Sequence, residues 1–166
     1  MESMTHNLTA VLIQILCFTY FQYPMNIIFT IIFALFSHFI SDAFSKLTYH
    51  TPEAMKKDKF WIVWHIVIIV ASLITGFVFS IKFWLGLLMV NLPDIIDWYI
   101  LRPIQNRKRR INPEFKGETF LIFHPIIDWL RNKLLFWLPD LTYKKYGIIT
   151  ELIIISLLSI LIGFFI

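Results

Sequence analysis

The chain has 166 residues, of which 58% are hydrophobic, 16% are charged and 17 are Phe, with a mean hydropathy of +0.70. That balance excludes an ordinary soluble domain and points to a single polytopic membrane domain. The lone cysteine, Cys17, excludes an intrachain disulfide and a cysteine-based zinc site. The net charge of +4 carries meaning only through where the charges lie.

The first nine residues, MESMTHNLT, hold no cation, which argues against a cleaved signal peptide. Residues 8–22 are an apolar run of 15, short against the ~20 residues of a usual span. Thr9, Gln14 and Thr19 soften the run further, and Tyr20, Tyr23 and Pro24 mark an interfacial turn after it. Residues 25–44 form a second span whose last third holds Ser37, His38, Ser41 and Asp42. A polar loop, 45–59, carries four lysines and His50. Residues 60–80 form a third span, with His65 beside Trp61 and Trp64, and residues 81–100 a fourth, with Asn91, Pro93, Asp94 and Asp97 near its end. The short connection around Ser80 predicts a transmembrane hairpin. Residues 101–119 read as a basic loop, RPIQNRKRRINPEFKGET. Residues 120–138 alternate apolar side chains with His124, Asp128, Arg131 and Lys133, a pattern that suits an interfacial helix better than a crossing. Residues 148–166 form the last span.

The expected fold is therefore all-α, about five transmembrane helices plus one interfacial amphipathic helix. On that topology 14 of the 15 Lys and Arg share one side, leaving only Lys82 opposite. The positive-inside rule makes that side cytoplasmic, with the N-terminus and basic loops there and the C-terminus across the cell membrane.

The same topology brings ionisable residues to one depth. His38 and Asp42 are four apart and share a helix face. A carboxylate and an imidazole in lipid cost several kcal/mol (roughly 3 or more) unless paired, metal-bound or solvated. Alternating span directions add His65, Asp94 and Asp97 at the same level, with His50, His124 and Asp128 from the flanking segments. Imidazole with carboxylate suits zinc, with manganese or iron as alternatives, in one ion or two. Such a site generates a nucleophilic hydroxide near neutral pH, which implies hydrolysis. His38, Asp42, His65, Asp94, His124 and Asp128 are the candidate ligands. Asp97 is a ligand or general base, and His50 a ligand or proton shuttle. His6 reads as a terminal residue without a role. The run Arg107 to Arg110 is a topology determinant that also suits an anionic or phosphorylated head group. Each residue also has a structural reading: His38 with Asp42 as a packing pair, His65 in an aromatic belt, Asp94 and Asp97 as a helix end, and His124 with Asp128 as a solvated helix face.

The chain contains no HExxH, no GxSxG, no SxxK serine arrangement and no glycine-rich phosphate loop. Phe36-Ser37-His38 through Asp42, followed by Tyr49-His50-Thr51-Pro52, resembles the S-H-x3-D…TP segment of bacterial and archaeal membrane-bound predicted metal-dependent hydrolases. Asn91-Leu92-Pro93-Asp94-Ile95-Ile96-Asp97 is similar to that family's L-P-D-x-D segment, with a wider gap between the aspartates and the motif order reversed. The family's H-R-G-x-T-H-S segment is absent. The resemblance implies His38, Asp42, Asp94 and Asp97 as metal ligands and a hydrolytic activity. The expected function is thus metal-dependent hydrolysis of a lipid-like or amphiphilic ester or phosphoester at the cytoplasmic interface. Membrane lipids are the expected partners and nucleic acid is not. A divalent-cation or proton transporter is one rival, disfavoured by the scarcity of ionisable groups in the other half of the membrane. A non-catalytic scaffold on anionic lipid is the second.

Overall fold

The computed structural model describes residues 2–51, 55, 57–112 and 121–166. The described residues are mostly helical, with no strand among them. In order they form α1 (Ser3–Tyr20), α2 (Met25–Ala43) with a 3-10 turn at Phe44–Leu47, α3 (Lys59–Asp94), a π-helical segment Ile95–Leu101, α4 (Arg102–Ile111), α5 (His124–Leu134) and α6 (Gly147–Phe165). Three stretches are long and apolar enough to cross a membrane: Met25–Leu47, Lys59–Ile111 and Gly147–Phe165. Their outward faces are greasy, with Phe77 and Phe164 both 83% exposed in rows of exposed Ile, Leu and Val. Surfaces of that extent suit a lipid environment.

The helix α3 is not one rod. Phe83 leaves helical geometry, at φ −121° and ψ 28°. Asn7 of α1 donates to the Ser72 carbonyl at 3.1 Å and accepts from Asn91 at 3.0 Å. Residues 72 and 91 would lie about 28 Å apart on a straight helix, at 1.5 Å per residue, so they can share Asn7 only if the chain doubles back. The arms are thus a helical hairpin that turns at Phe83, three residues past the expected Ser80. Gln14 fastens this turn: its amide donates to the Lys82 carbonyl and its oxygen accepts from the Gly86 N–H at 2.7 Å. A Cβ at Gly86 would stand 2.7 Å from the Ala10 carbonyl, so only glycine lets the return arm lie this close to α1.

The least apolar long helix is the most enclosed. Nine of the 18 residues of α1 are buried, against three of 19 in α6. Leu8, Ala10, Val11 and Ile15 meet Ala34 of α2, Phe83, Leu87 and Val90 of the hairpin, and Ile162 of α6. The polar residues of α1 face those same helices: Asn7 and Gln14 hydrogen-bond to the hairpin, and Thr5 donates to Glu151 of α6. Among helices packed in lipid, a central helix is held by small contacts and hydrogen bonds more than by hydrophobicity. This explains why α1 begins at Ser3, ahead of the apolar run at Leu8, and why it is absent from the three apolar spans.

Two expectations are corrected. The segment 101–119 is not a loop throughout: the π-helical segment runs directly into α4, with the Arg102 N–H bonded to the Asp97 carbonyl, and helix continues past Pro103 through Ile111. Residues 113–119 lie outside the described residues. The amphipathic helix expected over 120–138 is shorter, His124–Leu134, with Pro125 in its first turn; residue 120 also lies outside the described residues.

Candidate metal centre

The end of the bundle away from the hairpin turn collects the ionisable residues. α2 supplies His38, fully buried, and Asp42 one turn later. The return arm supplies Asp94 just after Pro93, where the helix widens to the π form. π-helical turns occur often at functional sites, and this one directs both Asp94 and Asp97 toward His124 of α5. One ligand atom from each of His38, Asp42, Asp94 and His124 lies within 4.8 Å of the others. His38 Nε2 is 3.4 Å from Asp42 Oδ2 and 3.8 Å from Asp94 Oδ1, and His124 Nε2 is 3.4 Å from Asp94 Oδ1.

These residues fit a metal ion in two respects. A tetrahedral ion with bonds of about 2.0–2.1 Å holds its ligand atoms about 3.3–3.4 Å apart; two of the three separations above match that and the third, at 3.8 Å, is wider. Both ring nitrogens of His38 are buried and without a hydrogen-bond partner, which is costly for an imidazole that binds nothing. One contact opposes the fit. The Trp98 indole N–H donates to His124 Nε2 at 2.7 Å, so the half-exposed indole must swing aside before that nitrogen can bind a metal.

A second layer holds these side chains in place. Asp97, fully buried, accepts from the backbone N–H groups of Ile122, Phe123 and His124, and from His124 Nδ1 at 2.8 Å. It therefore anchors the start of α5 and directs Nε2 of His124 inward, the carboxylate–histidine arrangement of metal sites. With no carboxylate edge left for substrate, Asp97 is better placed to orient than to act as general base. Burial works against a charged His124 ring, but the Asp94 and Asp97 carboxylates beside it raise its pKa above the usual histidine value. His6 Nε2 lies 2.9 Å from Asp42 Oδ1 and its ring stacks on His38 at 4.6 Å. Asp42 thus keeps Oδ2 toward the cluster.

A cleft of about 650 Å³ opens beside the cluster, lined in part by Glu2, His50, Arg102, Asp128 and Arg131. His50 lies on its wall, Nδ1 3.4 Å from Glu2 Oε1. Burial alone would raise the Glu2 carboxyl, but the His50 imidazole holds it below the usual range. Asp128 also lies on the wall, 60% exposed and paired with Arg131 at 3.1 Å, outside the four-residue cluster. His65 is at the same end but elsewhere: it stacks on Trp61 at 4.0 Å and bonds the Trp61 carbonyl, outside both the cluster and the cleft. Its aromatic-belt reading describes its surroundings.

Sequence reasoning passed over three residues here. His6 was read as terminal, yet it is 2% exposed inside the bundle. Glu151, the lone acid in the last span, is buried and accepts from the Glu2 N–H at 3.3 Å and from Thr5 Oγ1, tying α6 to the start of α1. An acid within an apolar helix is itself a signal of such a tie. Arg131 was read only as part of the polar face of an amphipathic helix. Compared with family models, curated proteins and solved structures, the chain matches none.

Proposed function

We propose that this protein is a membrane-embedded metal-dependent hydrolase that acts on a lipid-like or amphiphilic ester or phosphoester at the cytoplasmic face. The observation supporting the reading is the convergence of His38, Asp42, Asp94 and His124, from three separate parts of the chain, with one ligand atom of each within 4.8 Å of the others. Zinc suits two imidazoles and two carboxylates best, with manganese or iron as alternatives. A divalent ion there would lower the pKa of a bound water enough to supply hydroxide near neutral pH. The chain's own residues hold the ligands: Asp97 orients His124, and His6 orients Asp42.

The topology that goes with this reading has five crossings: α1, α2, the two arms of the α3 hairpin, and α6, with α5 in the interface. The return arm from Trp84 to Leu101 and the helix α1 each span about 27 Å at 1.5 Å per residue, close to the ~30 Å hydrocarbon core. This arrangement keeps the basic segments together and makes their side cytoplasmic.

The test is metal content by mass spectrometry on detergent-purified protein, with Asp42→Ala and Asp94→Ala alongside. Near-stoichiometric zinc, manganese or iron, lost in both variants, is expected, and would justify assays on phospho- and acyl-lipids. A folded wild-type protein that takes up no metal even on reconstitution would refute the hydrolase reading and favour a packing role for the cluster.

A further inference from the structure

The cleft narrows the substrate. Arg107 to Arg110, the expected anion contacts, are exposed along α4 and none of them lines the cleft. Arg102 and Arg131 do. Arg131 is fixed in place: Nη2 donates to the Asp42 carbonyl at 2.9 Å and Nη1 to Asp128 Oδ1 at 3.1 Å. The first bond ties the guanidinium to the backbone of a candidate metal ligand. A guanidinium carries five N–H donors in a planar fork, so these two bonds leave donors over, and Nε is buried without a partner. Arg102 lies over the Trp98 ring, 5.2 Å from its centroid, and has no carboxylate partner among the described residues. On the outer flank Tyr99 is 77% and Trp98 42% exposed, side chains that suit the level of lipid head groups.

We propose that Arg102 and Arg131 form an anion subsite beside the His/Asp cluster that takes the phosphate of a phosphate ester. The substrate class then narrows from esters in general to phosphate esters. Guanidinium forks match phosphate oxygens, whereas a neutral carboxylic ester offers no anionic oxygen to pair with them. The binding claim stands on the arginines; the reaction rests on the hydrolase reading above. In that reaction the oxygen of water forms a new P–O bond, the P–O bond to the alcohol breaks, and a proton from water passes to the departing oxygen.

The test uses the full chain in detergent, once chelator-treated and once zinc-loaded, with binding followed by calorimetry. The probes are inorganic phosphate, dioctanoyl phosphatidic acid and neutral dioctanoylglycerol. Phosphatidic acid is expected to bind the metal-free protein and to exceed dioctanoylglycerol. Arg102→Ala and Arg131→Lys should each weaken it about 10- to 100-fold, the loss of charge-assisted hydrogen bonds. Arg131→Lys keeps the cation but gives up the fork and with it the paired bonds to the Asp42 carbonyl and Asp128, so thermal unfolding of each variant checks that it is folded; Arg109→Ala on α4 should bind as wild type. Phosphate binding as tightly as the phospholipid assigns a soluble phosphate ester, and tighter phospholipid binding assigns a lipid one. Equal binding of phosphorylated and neutral lipid, or indifference to both arginines, overturns the proposal. Arginine-dependent binding in a protein that never takes up metal would keep the anion subsite and remove the hydrolase reading. Binding that needs zinc and ignores the arginines would do the reverse.

Discussion

Replacing Asp97 by Asn tests how the site is held together. The Asp97 carboxylate accepts four hydrogen bonds, Oδ1 from Ile122 N and Oδ2 from Phe123 N, His124 N and His124 Nδ1, all at 2.8–2.9 Å. An amide has one oxygen for these two positions. With that oxygen at Oδ2 the new NH2 group faces the Ile122 N–H; turned the other way, three donors lose their acceptor. Even the milder outcome removes one bond to a charged acceptor and weakens three, which at about 1.5–3 kcal/mol per charged bond suggests a loss of about 2–4 kcal/mol. For a chain of this size that lowers the melting temperature by about 4–16 °C. Loss of a residue that orients a ligand typically weakens metal binding about 10- to 100-fold. Zinc competition against a chelating dye and thermal unfolding in detergent measure the two effects. Asp128→Asn is the control, because that side chain is 60% exposed and pairs with Arg131, a surface interaction worth about 0–1 kcal/mol. An Asp97→Asn protein that binds zinc and melts like wild type would refute the role given to Asp97.

Gly86→Ala should lower thermal stability by about 1–3 kcal/mol, the usual cost of overpacking, since its Cβ would meet the Ala10 carbonyl at 2.7 Å. Gly163→Ala has open space and should melt as wild type; equal melting of the two variants would contradict the close packing of α1 on the hairpin. His6→Ala should weaken zinc binding by about 10-fold through the loss of the Asp42 contact, while His65→Ala leaves it unchanged; the opposite order would move the site toward Trp61. In a Cys17→Ser background, Arg109→Cys should react with an impermeant thiol reagent from one side of sealed vesicles, and Ser80→Cys and Ile166→Cys from the other. Labelling of all three from one side would refute the five-crossing topology.

The membrane class follows from composition, because transfer of an apolar segment into lipid depends on that segment alone. The hairpin near Ser80 was legible for a related reason: about forty apolar residues exceed one bilayer thickness (~20 residues) and must reverse. Placing His38 and Asp42 on one face needed only the helical repeat of 3.6 residues. Other features depend on which way each helix is rotated against partners far along the chain. Asn7 joins Asn91 across 84 residues, Asp97 joins His124 across 27, and Arg131 reaches the Asp42 carbonyl across 89. No local period encodes such meetings. Tertiary packing alone put α1 at the centre and turned His6 from an apparent terminal residue into a partner of Asp42, whereas the stacking of His65 on Trp61 is a local i, i+4 contact. Tertiary packing also made Asp97 an anchor, because the backbone N–H groups that occupy its carboxylate come from residues 122–124 and become neighbours only when α5 docks.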